Sequence, residues 1–224
     1  MIQRIKLSDR QLPAYSFSEE LTNTLTHALG ALLAIVALVL CVVKAAQLRS
    51  ATEITAAAIY GGCMTALYCV SSVYHGLKPS MAKKVMQVID HCTIYLLIAG
   101  SYTVVSLSAL RQLSPTLGWG MVIFQWTLAL IAITLTAIDL KAFEIFSMIC
   151  YIGMGWAILP FMGLTHTALG STGFFLLLAG GISFTIGAIL YGIGSKVPWM
   201  HSIFHIFVVL GSILQFFCIY FYAI

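Results

Sequence analysis

Three imidazoles and one carboxylate stand in apolar surroundings, where polar groups are costly and are functional suspects. His201 and His205 lie four residues apart near the start of the last apolar segment. On a helix that spacing stacks both rings on one face, one turn apart, where they can hold a metal. His75 ends the second segment and Asp90 lies near the start of the third. A catalytic zinc site takes three protein ligands and leaves a fourth position to water, whose pKa falls to about 7. His75, His201 and His205 supply three neutral imidazoles. Asp90 is a fourth ligand or, the reading we favour, holds and deprotonates the water. Ser71, one turn before His75, is a supporting donor or an oxyanion contact. Glu20, Asn23 and His27 form a further one-face set, placed in support or substrate contact. His91 follows Asp90 but is rotated about 100° from it on a 3.6-residue helix, which makes it a packing or supporting group.

The elements that position these groups follow from composition. The chain has 224 residues, of which 61% are hydrophobic and 8% charged, and its mean hydropathy is +1.01. A soluble domain carries about 25% charged residues. Seven stretches of mostly apolar sequence are long enough to span a bilayer, at 25–47, 54–77, 85–108, 117–138, 143–165, 172–194 and 199–223. Each must be helical, because lipid satisfies no backbone polar group. A β-barrel is not expected, since the runs do not alternate. The fold class is therefore an all-α seven-helix bundle, with residues 1–20 as a polar tail and 21–224 as the membrane domain. The tail has no signal-peptide apolar core. Pro160 is expected to kink the fifth span.

Lys and Arg set the orientation. Arg4, Lys6, Arg10, Lys78, Lys83, Lys84, Lys141 and Lys196 fall on one side, and Lys44, Arg49 and Arg111 on the other. The N-terminus is predicted inside and the C-terminus outside, in the cytoplasmic membrane. Counted from Lys78, Lys84 and Lys196, residues His75, Asp90 and His205 lie about 5, 9 and 13 Å into their helices at 1.5 Å per residue. Helices distant in sequence thus deliver polar groups to one inner layer. His166 is placed in an outside loop without a role. Asp139, Lys141 and Glu144 are read as solvated loop charges. The net charge of +4 reflects the asymmetry between the two sides and calls for no nucleic-acid partner. The six cysteines all lie within spans and form no CxxC, so they read as packing residues.

Several segments resemble motifs of the hemolysin III group of the progestin and adipoQ receptor superfamily. Residues 20–27, with Glu20, Asn23, Thr26 and His27, are similar to its ExxNxxTH motif. Ser71 and His75 match its SxxxH motif, 90–103 its aspartate segment, and His201 and His205 its final HxxxH. The likeness runs from about residue 16 to the C-terminus. It implies seven helices, an inside N-terminus and an intramembrane zinc on His75, His201 and His205. It also implies that Asp90 contacts the zinc-bound water. One departure is visible: the bacterial segment commonly continues Tyr-Thr-Pro, and here Val104 follows Thr103. The departure touches no ligand and bears on a kink in the third span. The long N-terminal region of the animal receptors has no counterpart, so hormone sensing is not expected.

Three functions compete. The first is a zinc-dependent intramembrane hydrolase acting on a lipid amide or ester from the cytoplasmic leaflet, to which the receptor members and the related alkaline ceramidases point. The second is a sensor or regulator of membrane lipid state with a structural zinc. The third is a pore, which near-uniformly apolar spans support least. Membrane lipid is the expected partner and no soluble protein partner is predicted. Oligomeric state is not legible.

Overall fold

The computed structural model describes residues 6–194 and 196–224, so Arg4 lies outside the described residues. The chain is helical almost throughout. Helix α1 spans Phe17–Gln47, α2 Ala51–Gly76, α3 Met81–Val104, α4 Pro115–Ile138, α5 Glu144–Gly155, α6 Met162–Gly194 and α7 Met200–Cys218. Serines start four of them. Ser16, Ser50, Ser80 and Ser114 each accept a bond from the backbone N–H three residues on, and Pro115 follows Ser114 where its missing N–H costs nothing. At α1 the cap is reciprocal, because the Glu19 carboxylate accepts from the Ser16 N–H at 2.9 Å.

Six helical stretches are long and apolar enough to cross a membrane among the described residues. Large apolar side chains face outward, including Leu32, Ile123 and Ile145 at 64, 65 and 77% exposure. Such a surface suits lipid. In the most apolar 18 residues of Met81–Leu113, 78% are buried, against 28% for the same window of α1, so α3 and its continuation stand at the centre. Helix α1 packs along α2, α6 along α7, and α3 along both α2 and α4. Small residues allow the close approach: a Cβ on Gly61 would meet Leu38 at 2.6 Å, and one on Gly30 would meet Tyr68 at 2.5 Å.

Several boundaries differ from the sequence reading. Helix α1 begins eight residues before the apolar run, so Glu20 and Asn23 are helical and on the same rod as His27. Helix α3 passes Val104 without a break and continues as a buried π-helical turn, Val105–Leu110, to Leu113. The fifth predicted span is interrupted earlier than Pro160. Helix α5 stops at Gly155, a turn follows, and Pro160 sits in a short 3-10 segment, Leu159–Phe161. The loop expected near 166–171 is reduced to Gly170, whose φ of 66° breaks the helix in a conformation open to glycine. His166 is helical, bonds Ser171 across that break at 3.1 Å, and packs edge-on against Phe174. Asp139 is no solvated charge: it is buried and pairs with Arg10 at 3.6 Å. Lys141 and Glu144 do form an exposed pair.

Candidate metal centre

Two helices bring three histidines to one point. His75 ends α2, and His201 and His205 occupy the first two turns of α7. All three are buried, and one ligand nitrogen of each lies within 4.8 Å of the others. The Nε2 atoms of His201 and His75 are 3.3 Å apart, and those of His205 and His201 3.1 Å apart. Three facing ring nitrogens cannot all satisfy one another, since each carries a lone pair or one proton. A cation placed among them accepts all three lone pairs. The donor set therefore fits a metal ion.

The surrounding residues hold the rings. The Nδ1–H of His75 donates to Glu20 Oε2 at 2.6 Å, and the Asn23 amide lies 3.4 Å from the same nitrogen. His27 is buried and stacks on His205, with ring centroids 3.7 Å apart and planes 22° from parallel. Neither ring nitrogen of His27 has a hydrogen-bond partner among the described residues. The opposite edge of His27 meets the Tyr68 face at right angles, 5.0 Å away. Tyr68 donates its hydroxyl to Ser212 at 2.7 Å, which ties α2 to α7 behind the centre.

Asp90 and Ser71 border the same space. Both line a cavity with His27, His201 and His205, and the Ser71 hydroxyl interacts with the Asp90 carboxyl. The cavity has a volume of about 140 Å³. It runs along α3 from Asp90 to Tyr102, about 18 Å at 1.5 Å per residue. Beyond the histidines its walls are mainly apolar, including Ile94, Leu97, Ile98, Phe184 and Val208. His91 turns from the triad: Nδ1 faces the Gln87 carbonyl at 2.8 Å and Nε2 the Tyr191 hydroxyl at 2.9 Å. It lines the cavity wall without joining the three rings.

Five residues at the centre were missed in the sequence. Lys83 is buried and pairs with Glu20 at 2.6 Å. Its signal was available: it stands seven residues before Asp90, two turns away on the same helix face. Glu19 Oε1 accepts the Trp199 N–H at 2.7 Å and so fastens the start of α1 to the start of α7. The sequence Ser16-x-x-Glu19 marked this residue as a cap but not as a link. Trp199 has a φ of 66°, a strained conformation for a bulky side chain. Tyr15 lies flat on His201, centroids 4.8 Å apart, and tilts against His75 at 6.0 Å. Burial above all holds its phenol pKa above the usual value, and Tyr191 and the acidic Glu20, Glu19 and Asp90 add to the rise. Tyr191 itself packs against His201. No spacing rule points to either tyrosine.

These features define a multi-pass helical membrane protein with a buried tri-histidine centre able to take a metal. The family model described as Haemolysin-III related matches residues 15–216, and the chain belongs to that family. It is 39% identical over 206 residues to "Hemolysin-3" of Bacillus cereus, covering 92% of each chain. It is 38% identical over 210 residues to the "Hemolysin-3 homolog" of Bacillus subtilis (strain 168), covering 94% of this chain and 97% of the relative. A more distant relative is the "Monocyte to macrophage differentiation factor" of Homo sapiens, 26% identical over 173 residues, or 73% of this chain and 68% of the relative. No solved structure matches the chain.

Proposed function

We propose that this protein is a zinc-dependent intramembrane hydrolase that cleaves a lipid amide or ester drawn from the cytoplasmic leaflet. The observation that carries the reading is the shape of the cavity: one long apolar space whose polar end holds His201, His205, Asp90 and Ser71. Its length of about 18 Å slightly exceeds half of a hydrocarbon core ~30 Å thick, the depth that one leaflet's acyl chains fill. An acyl tail lying along Ile94, Leu97 and Phe184 brings its carbonyl to the histidine end.

Zinc is the favoured ion because three imidazoles with an open fourth side are a common catalytic zinc set. A tetrahedral ion 2.0–2.1 Å from each nitrogen spaces its ligands about 3.3 Å apart. The separations of 3.3 and 3.1 Å agree with that spacing. When bound, a zinc ion supplies charge that polarises a carbonyl and acidifies water. Asp90 takes the proton from the attacking water as its oxygen bonds to the carbonyl carbon. The C–N or C–O bond then breaks, and Asp90 passes the proton to the leaving nitrogen or oxygen. Ser71 orients the Asp90 carboxyl, and Ile94, Leu97 and Phe184 keep bulk water from the acyl tail.

The same reading takes a seven-crossing topology. The stretch 144–194 holds 51 residues and would measure about 76 Å as one straight helix. That is more than twice the hydrocarbon core. Its break at Gly170 supports two crossings and hence seven in all, with the lysine-rich side and the N-terminus facing the cytoplasm.

The test is release of fatty acid from a panel of lipid amides and esters by purified protein with zinc, read by mass spectrometry. Wild type is expected to turn over at least one class, and Asp90→Asn is expected to lose turnover while keeping its zinc. Equal inactivity of both across the panel refutes the hydrolase. A second reading, a structural zinc in a regulator of lipid state, draws on Tyr15, which lies over His201 and closes that side of the centre. It predicts zinc binding with no turnover.

A further inference from the structure

The side chain that orients His75 is itself held by a buried cation from another helix. Glu20 Oε2 accepts the His75 Nδ1–H at 2.6 Å, and a carboxylate can only accept. The proton of His75 is therefore fixed on Nδ1, and the Nε2 lone pair faces His201 Nε2. An anionic carboxylate with a side chain only 19% exposed needs compensation. Lys83 supplies it, with Nζ 2.6 Å from Glu20 Oε1. Its ammonium has three protons, and the other two meet the Leu77 carbonyl at 2.9 Å and the His75 carbonyl at 3.4 Å. Those carbonyls end α2, where a cation is favoured. The same ammonium stands 5.2 Å over the Tyr74 ring, and Tyr74 packs on His75 at 4.5 Å.

We propose that Lys83 and Glu20 act together as positioning residues for His75, so that the first turn of α3 sets the metal affinity of a centre whose ligands all lie on other helices. This rests on the metal reading of the three histidines. A ligand histidine whose second nitrogen is held by a carboxylate is a better and better-aimed donor, and loss of such support costs 10–100-fold in metal affinity. Lys83 would act at one remove. Without it Glu20 is a half-buried anion with no cation beside it, free to turn toward water and release Nδ1.

The test is competition for zinc between the purified full chain and a chromogenic chelator. It compares wild type, Glu20→Gln, Lys83→Met, Lys83→Arg and the Glu20→Gln/Lys83→Met double variant. The melting temperature of each metal-free protein and the ligand-field absorption of its cobalt form are recorded alongside. We expect Glu20→Gln and Lys83→Met each to weaken zinc about 10–100-fold. Lys83→Arg should retain most of the affinity, and the double variant should be no weaker than the poorer single one. The cobalt bands should shift in both single variants, a change that a merely structural contact would not produce. Single variants within about threefold of wild type overturn the proposal, as does a double variant whose losses multiply. If Glu20→Gln does not fold, Lys83→Met alone decides by the same thresholds. A wild-type protein that binds no zinc or cobalt refutes instead the metal reading itself.

Discussion

Replacing Gly30 by alanine should damage both the fold and the metal centre, and Gly62 supplies the control. A Cβ on Gly30 would lie 2.5 Å from Cδ1 and 2.7 Å from Cε1 of Tyr68. Carbon atoms prefer 3.5–4.0 Å, so the ring must retreat by about 1 Å. It has nowhere to go, being 1% exposed. Its hydroxyl is fixed by Ser212 at 2.7 Å and by the Val208 carbonyl at 3.1 Å. Overpacking costs about 1–3 kcal/mol and a strained hydrogen bond about 0.5–1.5 kcal/mol, against a helix gain from alanine of about 0.5–1 kcal/mol. The net loss is about 2 kcal/mol. For a chain of this size that corresponds to a melting temperature lower by about 4–8 °C. A Cβ on Gly62 meets nothing within 4 Å, so Gly62→Ala should hold or slightly raise the melting temperature. The damage should also reach the metal: the displaced ring presses on His27, and His27 stacks on His205. Thermal unfolding in detergent and zinc competition measure the two effects. Equal melting of the two variants would sink the argument, because they share helix chemistry and differ only in what their methyl groups meet.

Removal of either α7 imidazole, His201→Ala or His205→Ala, should reduce bound zinc from one ion per chain to almost none, as read by elemental analysis. Glu19→Ala removes both the α1 cap and the partner of the strained Trp199 N–H, and should cost about 2 kcal/mol, seen as a lower melting temperature. Tyr15 covers His201 through its ring face, so Tyr15→Phe should lose zinc to a chelator at the wild-type rate and Tyr15→Ala several-fold faster. A fast Tyr15→Phe would assign the protection to the hydroxyl instead.

The histidine triad was legible because two periodicities agree. A spacing of four aligns His201 with His205, and depth counted from flanking lysines brings His75 to the same layer. What was hidden depends on which way a polar residue turns at the edge of an apolar run. Lys83 and Asp139 read as loop charges, yet both are buried against partners far along the chain, Glu20 and Arg10. Hydropathy sees no difference between a solvated lysine and one turned inward. The start of α1 was misplaced for a related reason. Its first two turns are polar because they face the centre, and only the cap formed by Ser16 and Glu19 marks the true beginning. Gly170 ends a helix with a single residue where loop chemistry suggested several, since one positive φ suffices.

The link from Glu19 to Trp199 spans 180 residues, and the histidine triad likewise joins α2 to the last helix. Such a site has an order of assembly. Glu20, His75 and Lys83 all leave the ribosome within the first 83 residues, and their pairing asks for nothing synthesised later. His205 follows His75 by 130 residues, roughly 7–26 s of synthesis at 5–20 residues per second. Through that interval one imidazole waits in the membrane with its proton already assigned. Until α7 is made the nascent chain offers any ion one member of the triad rather than three, and metal capture becomes an event that follows completion of the bundle.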